Sequence, residues 1–234
     1  MLAVTQLAGF GARPEFVPTD VANCALWLCA DLRVTDAGGG AVSTWADLSG
    51  NGRDLTEATN RPTISAGAIN GKNAISFDGT NDKLASADFS LSAPFTVFLV
   101  SQNPGTTNPG CLWYTDNDTA STTPLRLVRT SSTQVRLDGN GNTGAVESIN
   151  TTEWSLLTTF YNNTSSTLQK NTGTPATSAG AIGTVAMDGF VLGARFNVRF
   201  HQLLIAEVII YSGAITGTDL TKIQNYISQR YAIF

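Results

Sequence analysis

Charge is what this sequence has least of. Asp, Glu, Lys and Arg make up 14% of it, against about 25% in ordinary globular chains. Its 14 basic residues form no run, and the net charge is −4. Affinity for nucleic acid rests largely on neutralised phosphates, so DNA and RNA are not expected partners. No stretch approaches the roughly 20 apolar residues that span a bilayer, so a membrane is not expected either. Residues 1–11 lack the basic start and apolar core of a signal peptide.

Cysteine and histidine are also scarce. Cys24, Cys29 and Cys111 do not make a disulfide framework. Cys24 and Cys29 stand five positions apart in one strand-like run, about 16 Å if extended. Strict alternation would point them to opposite faces, and a disulfide needs Cα atoms within about 7 Å. All three read as buried thiols acting as small hydrophobes. His201 is the one histidine and is expected at a surface or rim. There is no P-loop, no Gly-x-Gly-x-x-Gly after a strand, no Cys/His metal spacing and no Gly-x-Ser-x-Gly elbow. Glycosidases need two carboxyl groups at about 5–10 Å, commonly two or four residues apart on a strand. No such cluster appears. Glu207 is the one acid inside a strongly apolar run, and reads as a hydrogen-bonded carboxyl tying a loop to the last strand.

Gly, Ser, Thr and Asn fill the space that charge leaves. They suit many short strands joined by tight turns. Strand-like segments fall at 25–28, 42–45, 74–77, 95–101, 111–114, 125–129, 134–137, 154–161, 167–170, 189–194 and 203–211. Spacings of about 10–15 residues with turn chemistry between them predict an all-β architecture. Trp27, Trp45 and Trp154 sit in apolar runs and read as core. Only the end reads as a helix: Leu220, Ile223, Ile227 and Tyr231 recur at spacings of three and four, with Asp219 in the first turn. The expected span is 217–231. Residues 1–20 show no sustained periodicity and read as an extended arm before one domain, 21–234.

Several motifs occur in a fixed order. Leu26-Trp27-Leu28 is followed by Trp45-x-Asp47-x-Ser49-Gly50-Asn51-Gly52. Pro62 and then Gly71-Lys72-x-Ala74-Ile75-x-Phe77-Asp78-Gly79-x-Asn81-Asp82 follow. The run 205–215 ahead of the helix closes the pattern. Together they resemble the LamG-like, concanavalin A-like jelly-roll domains over residues 24–233. The resemblance implies a two-sheet antiparallel jelly-roll sandwich with one C-terminal helix. Such domains occur in bacterial surface proteins and in phage particles, and the opening of this chain looks like those of some phage structural proteins. A fold of this kind also hosts lectins and glycosidases, so it cannot assign function by itself.

On these grounds the expected function is non-enzymatic. The leading expectation is a phage virion structural protein, a capsid decoration or a head or tail surface module. It would sit on the particle surface among other virion proteins and oligomerise. Its arm would dock through Leu2, Val4, Leu7, Phe10 and Phe16, which are costly to leave in water. The alternative is a carbohydrate-binding adhesin or receptor-binding module that takes a host surface glycan. Its nearest local match is Trp113 and Tyr114 followed by Asp116 and Asn117, although adjacent strand residues face opposite ways. No cofactor is expected. A structural calcium is the one candidate ion, with oxygens from Asp47, Ser49 and Asn51 and from the loop Asp116-Asn117-Asp118, although hard cations want six to eight oxygens.

Overall fold

The computed structural model describes residues 15–105, 110–115, 125–195 and 197–234. In chain order the first strands are β1 Cys24–Cys29, β2 Val34–Asp36, β3 Val42–Trp45, β4 Leu55–Thr56, β5 Thr63–Ile69 and β6 Lys72–Asp78. Next come β7 Leu84–Ser86, β8 Ser90–Leu91, β9 Phe95–Gln102, β10 Gly110–Tyr114, β11 Arg126–Ser131 and β12 Gln134–Gly139. β13 Asn142–Ser148, β14 Trp154–Tyr161, β15 Thr167–Lys170 and β16 Ala176–Thr177 follow. The chain closes with β17 Met187–Asp188, β18 Val191–Leu192, β19 Gln202–Ser212 and the helix α1, Gly217–Tyr231.

Two large antiparallel sheets form a sandwich. One runs β16-β15-β14-β9-β19-β6-β5 with β1 added on β19, and the other β13-β12-β11-β10-β18-β7-β4-β3-β2. β8 and β17 make a separate short ribbon. The first sheet turns on β19. Its one edge pairs with β9 from Leu204 to Ser212, while its other edge is shared between β6 at Gln202–Ile205 and β1 at Glu207–Tyr211.

Side-chain parity explains why β9 and β19 are almost wholly apolar. On β9, Phe95, Val97 and Leu99 enter the core between the sheets, while Phe98 and Val100 enter a second core beneath α1. A strand buried on both faces has no position for a polar alternation. The helix supplies Ile223, Ile227 and Tyr231 to that second core, against Trp27, Ala74, Leu156, Ile209 and Tyr211 of the sheet. Its span matches the apolar stripe residue for residue. Asp219 lies in the first turn and Arg230 in the last, each at the end of the helix dipole that favours it. Ala232 caps it in the left-handed conformation, φ 50°.

Two expectations are corrected here. A bulge between Cys24 and Leu26 breaks the alternation on β1. Cys24 and Cys29 therefore both pack on the helix-covered core instead of facing opposite ways, and both remain free thiols. The second concerns the N-terminal segment. Of the expected arm, residues 15–20 are described, and they pack on this chain itself. Phe16 and Val17 lean on the second core, and the Tyr211 hydroxyl donates to the Pro18 carbonyl at 2.7 Å. Leu2, Val4, Leu7 and Phe10 lie outside the described residues.

Candidate functional site

A groove of about 770 Å³ opens where the N-terminal segment crosses α1. Lys222, Asn225, Tyr226, Gln229 and Arg230 form its helical wall. Their spacings of three and four place them on one helix face, beside the stripe that is buried. Glu15, Phe16 and Asp20 form the opposite wall, and Lys72 at the start of β6 reaches in from the sheet. Phe16 meets the Tyr226 ring edge-on, with centroids 5.9 Å apart at 64°. Arg230 pairs with Asp31 at 2.9 Å and Lys222 with Asp219 at 2.9 Å. Lys72 makes no ion pair among the described residues. The Asp20 carboxylate accepts the Val17 amide at 3.0 Å, which holds the N-terminal wall in its turn.

Glu207 lies beneath that helical wall. A bulge on β19 between Ile205 and Glu207 sets Ala206 and Glu207 on the helix side together. The Glu207 side chain is 1% exposed. Its Oε1 accepts the indole N–H of Trp27 at 2.6 Å and the Tyr226 hydroxyl at 2.8 Å, and Arg230 Nε stands 3.8 Å from Oε2. Burial raises the pKa of its carboxyl above the usual range. The carboxyl thus joins β1, β19 and α1, where a tie to a loop was expected, and holds the Tyr226 ring in the groove wall. Glu207→Ala would strand two buried donors, at about 1–3 kcal/mol for each one left unpaired. A loss of roughly 2–6 kcal/mol in urea unfolding is expected, and an unchanged midpoint would show that these bonds contribute nothing net.

The residues singled out in the sequence lie elsewhere. Trp113 and Tyr114 do face opposite ways, yet both are 0% exposed. Trp113 enters the core between the sheets, where its ring lies 6.0 Å from that of Phe190. Tyr114 turns to the outer face of the second sheet, where Cys111, Val128, Val191 and Ala194 surround it. Neither presents a ring to solvent, so the expected glycan platform is corrected: covering chain, invisible in a local pattern, buries both. Asp116 and Asn117 lie outside the described residues.

Asp47, Ser49 and Asn51 spend their polar atoms on the protein. Asp47 accepts the amides of Trp27 (3.1 Å), Ser49 (2.8 Å) and Arg53 (3.1 Å) together with the Ser49 hydroxyl (2.8 Å). Asn51 donates to the carbonyls of Cys24 and Ala25. The motif is a hydrogen-bonded turn that ties its loop to β1. Among the described residues no three His, Cys, Asp or Glu side chains gather as metal ligands. His201 is 0% exposed, not at a rim as expected. Trp27 and Trp45 are core, and Trp154 is half-buried against the helix-covered core.

The groove is not legible in the sequence. The polar helix face at 222, 225, 226, 229 and 230 was readable from the same periodicity that predicted the helix. Its opposition to Phe16 and Lys72 was not.

No protein-family model and no curated protein matches the chain. Solved structures do match it. Domain 4 of an extracellular GH43 arabinanase from Geobacillus stearothermophilus, in complex with arabinotriose, is 17% identical with a TM-score of 0.61, over 87% of this chain and 98% of that one. A GH54 α-L-arabinofuranosidase is 14% identical with a TM-score of 0.62, over 82% of this chain and 51% of that one. The binding domain of botulinum neurotoxin serotype D is 15% identical with a TM-score of 0.57, over 87% and 51%. The chain therefore spans nearly all of the first and about half of the other two. At such identities the likeness establishes the β-sandwich fold and no more. No helix among the described residues is long and apolar enough to cross a membrane.

Proposed function

We propose that this chain is a non-catalytic glycan-binding module whose ligand lies in the groove between the N-terminal segment and α1. The observation that carries the reading is the lining of that groove. Phe16 and Tyr226 offer ring surface for the apolar face of a sugar, and Asn225 and Gln229 stand beside them with amide donors and acceptors for hydroxyls. A volume of about 770 Å³ lies within the roughly 300–1,000 Å³ of small-molecule sites. The arabinanase domain solved with arabinotriose and the toxin binding domain add support at the level of fold. The non-catalytic part rests on Glu207: the buried carboxyl beneath the groove is 1% exposed and already engaged by Trp27 and Tyr226, so no substrate oxygen reaches it. The phage-particle reading draws on the sequence alone, namely the resemblance, the apolar N-terminal segment, the low charge and the missing catalytic set, and none of the structures named above is a virion protein.

Glycan-array screening followed by calorimetry on the hits tests this. Saturable binding is expected, with Gln229→Ala and Phe16→Ala each weakening it about tenfold, equivalent to about 1.4 kcal/mol. Gln229 is exposed and its side chain makes no hydrogen bond among the described residues, so its variant isolates binding from stability. No binding across the array, or binding that both variants leave untouched, would overturn the proposal.

A further inference from the structure

We infer that His201 is an acid-sensitive latch that holds three backbone segments together at one end of the sandwich and releases them when it takes up a proton.

The imidazole sits where these segments meet. A Cβ placed on Gly110 would lie 2.3 Å from Nδ1, and one placed on Gly105 would lie 3.1 Å from Cε1. The ring is therefore flush against two glycine backbones: a Cβ on Gly110 would overlap it, and one on Gly105 would press on it and on the Gln202 carbonyl, 2.7 Å away. Main-chain bonds close the same seam. Gly105 N–H donates to the Gln202 carbonyl at 3.2 Å, Cys111 N–H to Arg199 at 3.0 Å, and His201 N–H to Gly193 at 2.8 Å. Among the described residues the ring nitrogens have no hydrogen-bond partner, and neither has the Oδ1 of Asn103, two residues before Gly105. A buried polar group without a partner is uncommon in native interiors and calls for a role.

The groups around the ring make its protonation costly. Arg129 of β11 is 0% exposed and gives its guanidinium hydrogens to the carbonyls of Asn103, Ser131 and Ser132. It has no carboxylate partner among the described residues. The segment before Gly105 offers the neutral Asn103 amide. β10 offers Gly110 and the Cys111 thiol, which burial pushes up to about 12 and leaves uncharged. Arg195 and Arg199 act on that thiol across β10 and add positive charge. Asp138, the carboxylate that also acts on it, is held by Arg126 and Arg136. A proton on His201 would create a second buried cation with no counter-charge facing it among the described residues.

Burial first, and then the charge of Arg129, lower the pKa of the closed state from 6.5 to about 3. An opened seam returns the imidazole to water and to its ordinary value. The opened form then binds the proton and the closed form excludes it. Closure is at full strength above pH 6.5 and is lost as the pH falls from there toward 3, by up to tenfold per pH unit.

His201 is the chain's one histidine, so every imidazole signal in an NMR titration of the full chain belongs to it. The expected result is a ring that stays neutral well below pH 6. Hydrogen exchange at the amides of Gly105, Cys111 and His201, corrected for intrinsic rates, should accelerate about tenfold per pH unit between 6 and 4. The Leu99 amide, in the centre of the first sheet, should lag behind. His201→Phe and His201→Gln should flatten that dependence. An imidazole titrating near 6.5 would overturn the latch, and that measurement stands even if a variant fails to fold. So would seam amides that exchange in step with Leu99, or a pH dependence shared by the wild type and both variants.

Discussion

Ending the chain after Gly213 is expected to give a protein that unfolds or associates instead of a smaller monomeric sandwich. The cut removes α1, and with it Ile223, Ile227 and Tyr231, each no more than 1% exposed. Full burial of a large apolar side chain is worth about 1.5–3 kcal/mol, so these three account for roughly 5–9 kcal/mol. That equals much of the roughly 5–15 kcal/mol by which a domain is stable. The sheet face left behind would carry Trp27, Phe98, Leu156, Ile209 and Tyr211 in one contiguous apolar patch, the kind of surface that drives association. Gel filtration with a thermal melt decides the matter. A truncated chain that elutes as a monomer and melts within a few degrees of the full one would mean that the helix is an accessory and not a wall of the core.

Trp113→Ala is expected to lose about 3–5 kcal/mol, the usual cost of emptying a large aromatic site in a core. The indole is 0% exposed and packs on Phe190 among the apolar side chains between the sheets. Its N–H has no acceptor among the described residues, so Trp113→Phe removes an unsatisfied donor while keeping an aromatic ring and much of the volume, and should cost clearly less than the alanine change. The pair of variants separates a core residue from a sugar platform. A platform would show the reverse, with an unchanged melting temperature and a lost ligand. Chemical denaturation of both variants beside a binding assay reads the two outcomes directly.

The same tryptophan shows why a local motif misleads about a site. Trp113, Tyr114, Asp116 and Asn117 form an aromatic–polar run that fits an exposed platform and a strand covered on both faces equally well. The cover over Tyr114 comes from Val128, Val191 and Ala194, residues up to 80 positions away in the numbering. Bulges add a second kind of loss. Each one shifts side-chain parity by one, so Cys24 joins Cys29 on one face and Glu207 joins Ala206, against the alternation that the residues alone predict. β13 went unpredicted for a third reason. Asn142–Ser148 carries little apolar signal, and it becomes a strand because β12 pairs with it across the Asn140-Gly141 turn, whose φ values of 51° and 75° suit a tight hairpin.

What the sequence by itself determined is therefore the part written in short-range periodicity. Low charge, Thr- and Gly-rich turns and recurring apolar runs specify an all-β sandwich, because half-buried strands and tight turns each select their residues locally. The stripe from Leu220 to Tyr231 specifies the helix and its buried face for the same reason. The tertiary structure alone decided which distant residues meet. Phe16 reaches Tyr226, Trp27 reaches Glu207 and Gly110 reaches His201 across separations of 91 to 210 residues. Such meetings depend on sheet order and bulge position, which are properties of the whole packing, and no window along the chain contains them.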